Sequence, residues 1–186
     1  MKIIGITGTL GAGKGSVVDY LCQHHGFLHF SVRDYISKII ESEGGNVNRD
    51  SLTKTANDLR RQNHPAYIIE QLMQQAMRSG KNAVIESIRT PGEIELLRAK
   101  QDFLLLAVDA NIKLRYQRIY QRKSATDKID FQTFIENEQR EMHSDDPNKQ
   151  NLSECIKQAD YTVINNGTLE KLHEQIKVLL EKSIIH

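Results

Sequence analysis

Five short runs of apolar, β-prone residues punctuate the chain: Lys2–Thr7, Phe27–Ser31, Asn82–Glu86, Phe103–Asp109 and Tyr161–Asn165. Phe103-Leu104-Leu105-Leu106-Ala107-Val108 is almost continuously apolar, which suits a strand covered on both faces. Between the runs, apolar residues recur at helical spacing. Ile69, Leu72, Met73 and Ala76 form one such stripe, and Leu169, Leu172, Ile176 and Leu179 form another. Thr90-Pro91-Gly92-Glu93 reads as a capping box with proline at the first helical position. Strand–helix alternation predicts an α/β fold, a parallel sheet with helices on both faces. The alternation breaks around residues 31–66 and 122–151, which read as polar helical insertions beside the sheet.

The length of 186 residues suits a single domain. Its 25 basic and 24 acidic side chains nearly cancel, which argues against bulk attraction to nucleic acid or to anionic membranes. No apolar run approaches the ~20 residues of a membrane span, and the N-terminus turns glycine-rich too early for a signal peptide. Cys22 and Cys155 form neither a disulfide framework nor a zinc spacing, so a cytoplasmic setting is expected.

The most specific signal is at the front of the chain. An apolar strand pattern, Ile3-Ile4-Gly5-Ile6-Thr7, runs into Gly8-Thr9-Leu10-Gly11-Ala12-Gly13-Lys14-Gly15-Ser16, and then Val17-Val18-Asp19-Tyr20-Leu21 opens a helix. Strand, glycine loop, lysine and helix in that order make a phosphate-binding loop. Glycines let phosphate oxygens reach backbone amides, the helix N-terminus adds partial positive charge, and Lys14 can bridge the terminal phosphates. Gly15 separates the lysine from the hydroxyl of Ser16.

Phosphoryl transfer also needs Mg²⁺ and an acid to hold it or its waters. Two strands end in carboxylates, Glu86 and Asp109, and their sequences leave both open. Residues 110–126 carry Lys113, Arg115, Arg118, Arg122 and Lys123 and no acid before Asp127. Arg115, Arg118 and Arg122 share one helix face, where neighbouring cations repel unless an anion sits among them. Glu136, Glu138 and Glu141, with His143, Asp145 and Asp146, read as a solvated acidic helix and loop.

The order Gly-x-x-Gly-x-Gly-Lys-Gly-Ser resembles the loop of adenylate-kinase-like nucleoside and deoxynucleoside monophosphate kinases, relatives of dephospho-coenzyme A kinases. The resemblance extends weakly over nearly the whole chain. It implies a three-layer αβα sandwich with a five-stranded parallel sheet in the order 2-3-1-4-5. It also implies a helical acceptor-binding insertion at about residues 31–66 and a lid at about 115–137, its tip at Ser124–Lys128. By the same resemblance ATP would lie on Gly8, Gly11, Ala12, Gly13, Lys14, Gly15 and Ser16, with its adenine against the turn at Asn166 and Gly167. Ser16 and Glu86 would serve Mg²⁺. Lys14, Arg118 and Arg122 would act on the transferring group, and Arg33, Asp34, Arg60 and Arg89 would hold the acceptor. Related kinases end the run Ser31–Ser37 in a phosphate-gripping arginine. Here that position is Ser37, while Arg33 appears earlier, a departure that bears on the choice of acceptor.

The expected function is transfer of the γ-phosphoryl of ATP to a small nucleotide acceptor, by a monomer or weak homodimer. A dephospho-coenzyme A kinase and a slowly hydrolysing nucleotide sensor are the alternatives. A GTPase would show a base-reading Asn/Thr-Lys-x-Asp run, and Thr53-Lys54-Thr55-Ala56 lacks its aspartate.

Overall fold

The computed structural model describes residues 1–99, 102–122 and 129–184. Five parallel strands form one sheet: β1 (Ile3–Gly8), β2 (Leu28–Ser31), β3 (Ala83–Glu86), β4 (Phe103–Asp109) and β5 (Tyr161–Ile164), in the order β2-β3-β1-β4-β5. The order matches the expectation, and each strand agrees with its apolar run to within a residue at either end.

Helices cover both faces, because successive side chains of a strand point to opposite sides. Ile4, Ile6, Leu104 and Leu106 pack with Val17 and Leu21 of α1 (Lys14–His25) on one side. On the other, Ile3, Ile85 and Leu105 pack with three further helices, α2 (Val32–Ser42), α4 (Tyr67–Ser79) and α5 (Pro91–Arg98). The stripe of Ile69, Leu72, Met73 and Ala76 is buried on α4. The last stripe lies on α9 (Leu169–Ile184), where Leu172, Ile176 and Leu179 are buried. Leu169, the first residue of α9, is exposed.

After Ser31, which ends β2, residues 32–66 contain α2 and α3 (Arg49–Gln62) and no strand. α6 (Ile112–Arg122) follows β4, and α7 (Phe131–Met142) precedes α8 (Leu152–Lys157). The expected lid tip, Ser124–Lys128, lies outside the described residues. Among the described residues no helix is long and apolar enough to cross a membrane.

Candidate functional site

Parallel strands all end on one edge of the sheet, and open α/β sheets bind ligands at that edge. Here it collects Gly8, Ser31, Glu86, Asp109 and the loop after Ile164. β1 lies between β3 and β4, so the glycine loop is flanked by both candidate acids, with Ile6 paired to Glu86 and Gly8 to Val108.

The loop's shape depends on backbone that only glycine adopts easily. Gly8, Gly11 and Gly13 have φ of 132°, 78° and 101°. A Cβ would overlap the Val108 carbonyl at Gly8, the Arg115 carbonyl at Gly11 and the Asn165 amide at Gly13. A Cβ at Gly15 would meet only open space, and Gly15 and Ser16 both line the cavity. Such a cradle fits an anion. The Lys14 ammonium curls back and donates to the carbonyls of Gly8 at 2.7 Å and Thr9 at 2.8 Å. Burial lowers its pKa to about 7, assisted by Arg89 and Arg122 and opposed by Glu86 and Glu141.

A cavity of about 720 Å³ opens in front of this loop. Gly11, Gly13, Lys14, Gly15 and Ser16 form its floor, with Arg118 and Arg122 beside them. Its lining also carries Arg33, Arg49, Arg60 and Arg89, with an apolar bed of Val32, Ile36, Leu52 and Ala56. Among the described residues, its lining has seven cationic side chains and three carboxylates, Asp19, Glu86 and Glu141, so its field is positive.

Glu86 lines the cavity, accepting from Ser31 Oγ at 3.2 Å with His29 Nε2 at 3.4 Å. Burial alone would raise its pKa, but the His29 contact, Lys14 and Ser31 outweigh it and hold the group below the ordinary carboxylate value. Ser87 follows with φ of 67°, a left-handed conformation uncommon for a residue other than glycine. Such strain in a bulkier residue concentrates at functional sites. Asp109 stays off the cavity lining, accepting from Thr9 Oγ1 at 2.6 Å and from the Ala110 amide at 2.8 Å.

The three arginines of α6 separate. Arg118 donates to the Asn165 carbonyl at 2.9 Å and the Ala12 carbonyl at 3.4 Å, and with exposed Arg122 lines the cavity. Arg115, read as their facial partner, is buried instead. It pairs with Glu138 and donates to the Ala110 carbonyl at 2.8 Å and the Leu10 carbonyl at 3.3 Å, supporting the loop from behind.

Other expectations need correction. Asp34 is exposed in the first turn of α2, away from this cavity, and its amide serves the Ser31 cap. Arg60 reaches the cavity wall, but its guanidinium is committed. It is 1% exposed and donates through Nε at 3.2 Å and Nη2 at 2.9 Å to Glu93 Oε1. Glu93 is the capping-box acid of α5, whose other oxygen accepts the Arg89 and Thr90 amides. Gly8 and Ala12 are buried under the loop. Asn166 and Gly167 are exposed and off the cavity lining, with Asn166 Oδ1 accepting the Asn111 amide at 2.7 Å.

Asn165, one residue earlier, is the one that reaches the loop. Buried, it donates from Nδ2 to the Ala12 carbonyl at 2.8 Å. Glu141 is the larger surprise. Glu136, His143, Asp145 and Asp146 are exposed, as a solvated stretch would be, but Glu141 is buried on α7, bridging Arg89 and Arg49. Arg89 also donates to Gln150 Oε1 at 2.6 Å. Arg49 Nε is buried without a hydrogen-bond partner. Arg49 opens α3 directly after its Asn48 cap, and the sequence reading did not single it out. Nothing in the acidic run distinguishes Glu141 from its neighbours.

Loop, topology and cationic cleft together define a P-loop protein with a kinase-like fold. The profile of the AAA domain family matches residues 4–144, and the chain belongs to that family. It is 29% identical to a UPF0200 protein of Methanococcus vannielii across 100% of this chain and 98% of that protein. A UPF0200 protein of Methanothermobacter thermautotrophicus is 28% identical over 98% of this chain and 90% of its own length. Among solved structures, TT1252 from Thermus thermophilus superposes with a TM-score of 0.65 at 21% identity, covering 97% of each chain. Shikimate kinase from Bacteroides thetaiotaomicron superposes with a TM-score of 0.59 at 14% identity, covering 97% of this chain and 98% of its own. At these identities the structures establish the shared fold.

Proposed function

We propose that this chain is an ATP-dependent kinase that phosphorylates a nucleoside or deoxynucleoside monophosphate. One observation carries the reading: a single cavity is lined both by a glycine phosphate cradle and by Arg33, Arg49 and Arg89. Two anionic substrates that meet for phosphoryl transfer need that arrangement, because the protein's task is positioning and charge stabilisation.

ATP bound along Gly11–Ser16 would supply the phosphoryl group. Lys14 would exchange its loop carbonyls for phosphate oxygens, and Arg118 and Arg122 would approach the transferring group from α6. The donor set fits Mg²⁺: a hydroxyl from Ser16 and the carboxylate of Glu86, which is held ionised on the cavity wall. Asp109, bonded to Thr9, is the poorer candidate. Residues 31–66 would receive the acceptor on the apolar bed of α2 and α3, and residues 115–137 would close over it.

The test is coupled ADP release with ATP, Mg²⁺ and an acceptor panel. The panel holds the nucleoside and deoxynucleoside monophosphates, dephospho-coenzyme A and, given the kinases of similar fold, shikimate. Acceptor-dependent release with a monophosphate supports the reading. Slow release indifferent to every acceptor would make the chain a nucleotide sensor.

A further inference from the structure

Glu141 stands where an acceptor's phosphate would be expected. One carboxylate oxygen takes Arg49 of α3, and the other takes Arg89 of the loop after β3. The carboxylate therefore bridges the helical insertion to the core from a third element, α7. Two guanidiniums that converge on two oxygens of one group, each through a charge-assisted bond, make a site whose charge and donors suit a phosphate monoester.

The charge count is incomplete. One carboxylate against Arg49 and Arg89 leaves a positive surplus, and exposed Arg33 adds to it on the same wall. A phosphate dianion would balance the two guanidiniums, and its extra oxygen could take the donor that Glu141 leaves unused, the buried Nε of Arg49. The carboxylate is thus a smaller, singly charged substitute for such a group. Arg60 on the same wall has no comparable freedom, since Glu93 is its permanent partner in the buried core.

We propose that Glu141 is an internal surrogate for the acceptor's phosphate: it holds Arg49 and Arg89 in place, and a phosphate monoester must displace it to bind. This rests on the kinase reading for the identity of the acceptor, while the anion site between Arg49 and Arg89 does not depend on it. The exchange keeps the two arginines paired at every stage, so neither cation is left buried and unneutralised, a state that is costly. It also couples acceptor binding to release of the C-terminal end of α7.

The test uses the full chain, with Glu141→Gln as the main variant. The amide keeps the size and one accepting oxygen of the carboxylate and removes its charge. Calorimetry first titrates the non-hydrolysable ATP analogue AMP-PNP with Mg²⁺, then titrates AMP, dCMP or ribose 5-phosphate into the loaded protein. If Glu141 occupies the site most of the time, removing it raises the competent fraction and tightens the monoester about tenfold or more. Arg49→Met in the wild-type background should weaken the same ligand by a similar factor. Monoester binding that is weaker in Glu141→Gln than in wild type, or unchanged, overturns the proposal and makes Glu141 a plain structural partner. So does the absence of monoester binding in both proteins. Failure of AMP-PNP itself to bind would instead reject the kinase reading. Ribose 5-phosphate alone then decides the surrogate role. Should Glu141→Gln melt well below wild type, Glu141→Asp replaces it. Its shorter carboxylate cannot reach both arginines, and it should also tighten the monoester, while weaker binding overturns the proposal.

Discussion

Asn165 donates its side-chain amide to the carbonyl of Ala12 at 2.8 Å, so the loop that follows β5 is tied to the phosphate loop across 153 residues of chain. Arg118 closes the same connection through the Asn165 and Ala12 carbonyls. The donor-side loop, the phosphate loop and α6 thereby share one small hydrogen-bonded junction. Asn165→Ala should leave the Ala12 carbonyl short of a strong donor, at a cost of about 1–3 kcal/mol. Calorimetric ATP affinity should fall several-fold with a lower melting temperature. Unchanged nucleotide affinity would show that the junction supports the fold alone.

Lys14→Met tests the phosphate loop. The lysine's partners are the Gly8 and Thr9 carbonyls, so the variant should still fold with a modest loss of melting temperature. Removing a preorganised charge from the transferring phosphates should lower kcat on the order of a hundredfold or more. Near-wild-type turnover at saturating acceptor would reject the assignment.

Arg89→Ala should separate the two substrates. A charge-assisted bond to phosphate contributes about 1.5–3 kcal/mol, so the acceptor KM should rise roughly ten- to a hundredfold while that of ATP stays within about twofold. The variant also takes a partner from buried Glu141 and should melt lower. A rise confined to the KM of ATP would place Arg89 on the donor side.

Arg60→Met provides the contrast. Arg60 and Glu93 are 1% and 0% exposed, and breaking a buried pair by removing one partner costs about 3–5 kcal/mol. The loss should appear in denaturant unfolding, with an acceptor KM near wild type in the protein that remains folded. A large KM effect with unchanged stability would return Arg60 to the acceptor.

The pH dependence of stability has a definite sign at Glu141. Burial pushes its pKa up, but Arg89 and Arg49 outweigh this and hold it below its ordinary 4.5. A carboxyl depressed in the folded state stabilises the protein above its unfolded pKa, and that contribution is lost as pH falls through the folded value. Acid denaturation from pH 6 downward should therefore be shallower for Glu141→Gln than for wild type. Parallel curves would mean that the pairing contributes nothing to the acid limb.

The parts legible in the sequence are those set by local rules. Apolar runs located all five strands, because a strand buried on both faces admits little else. The Gly8–Ser16 loop was legible because its backbone turns require glycine, and Thr90–Glu93 because a capping box is closed within four residues. Strand order came through resemblance, not from the strands themselves, whose apolar residues pair as well with one neighbour as another.

The cavity's charge pairing was decided only by the tertiary structure. Arg60, Arg89, Arg115 and Arg118 are equivalent as residue types, yet one is locked to Glu93, one shares Glu141 with Arg49, one supports the loop through Glu138, and one bonds to loop carbonyls. Their partners lie 23 to 52 residues away for the ion pairs with Glu138, Glu93 and Glu141. Charge alone carries no address over such separations: an arginine's partner is whichever carboxylate the packed helices bring to it after both have left water. The sequence determined that this chain would fold an αβα sheet around a phosphate cradle. Packing determined which cations remain available to a ligand, because a buried guanidinium must be neutralised by its neighbours and only the folded chain defines who they are.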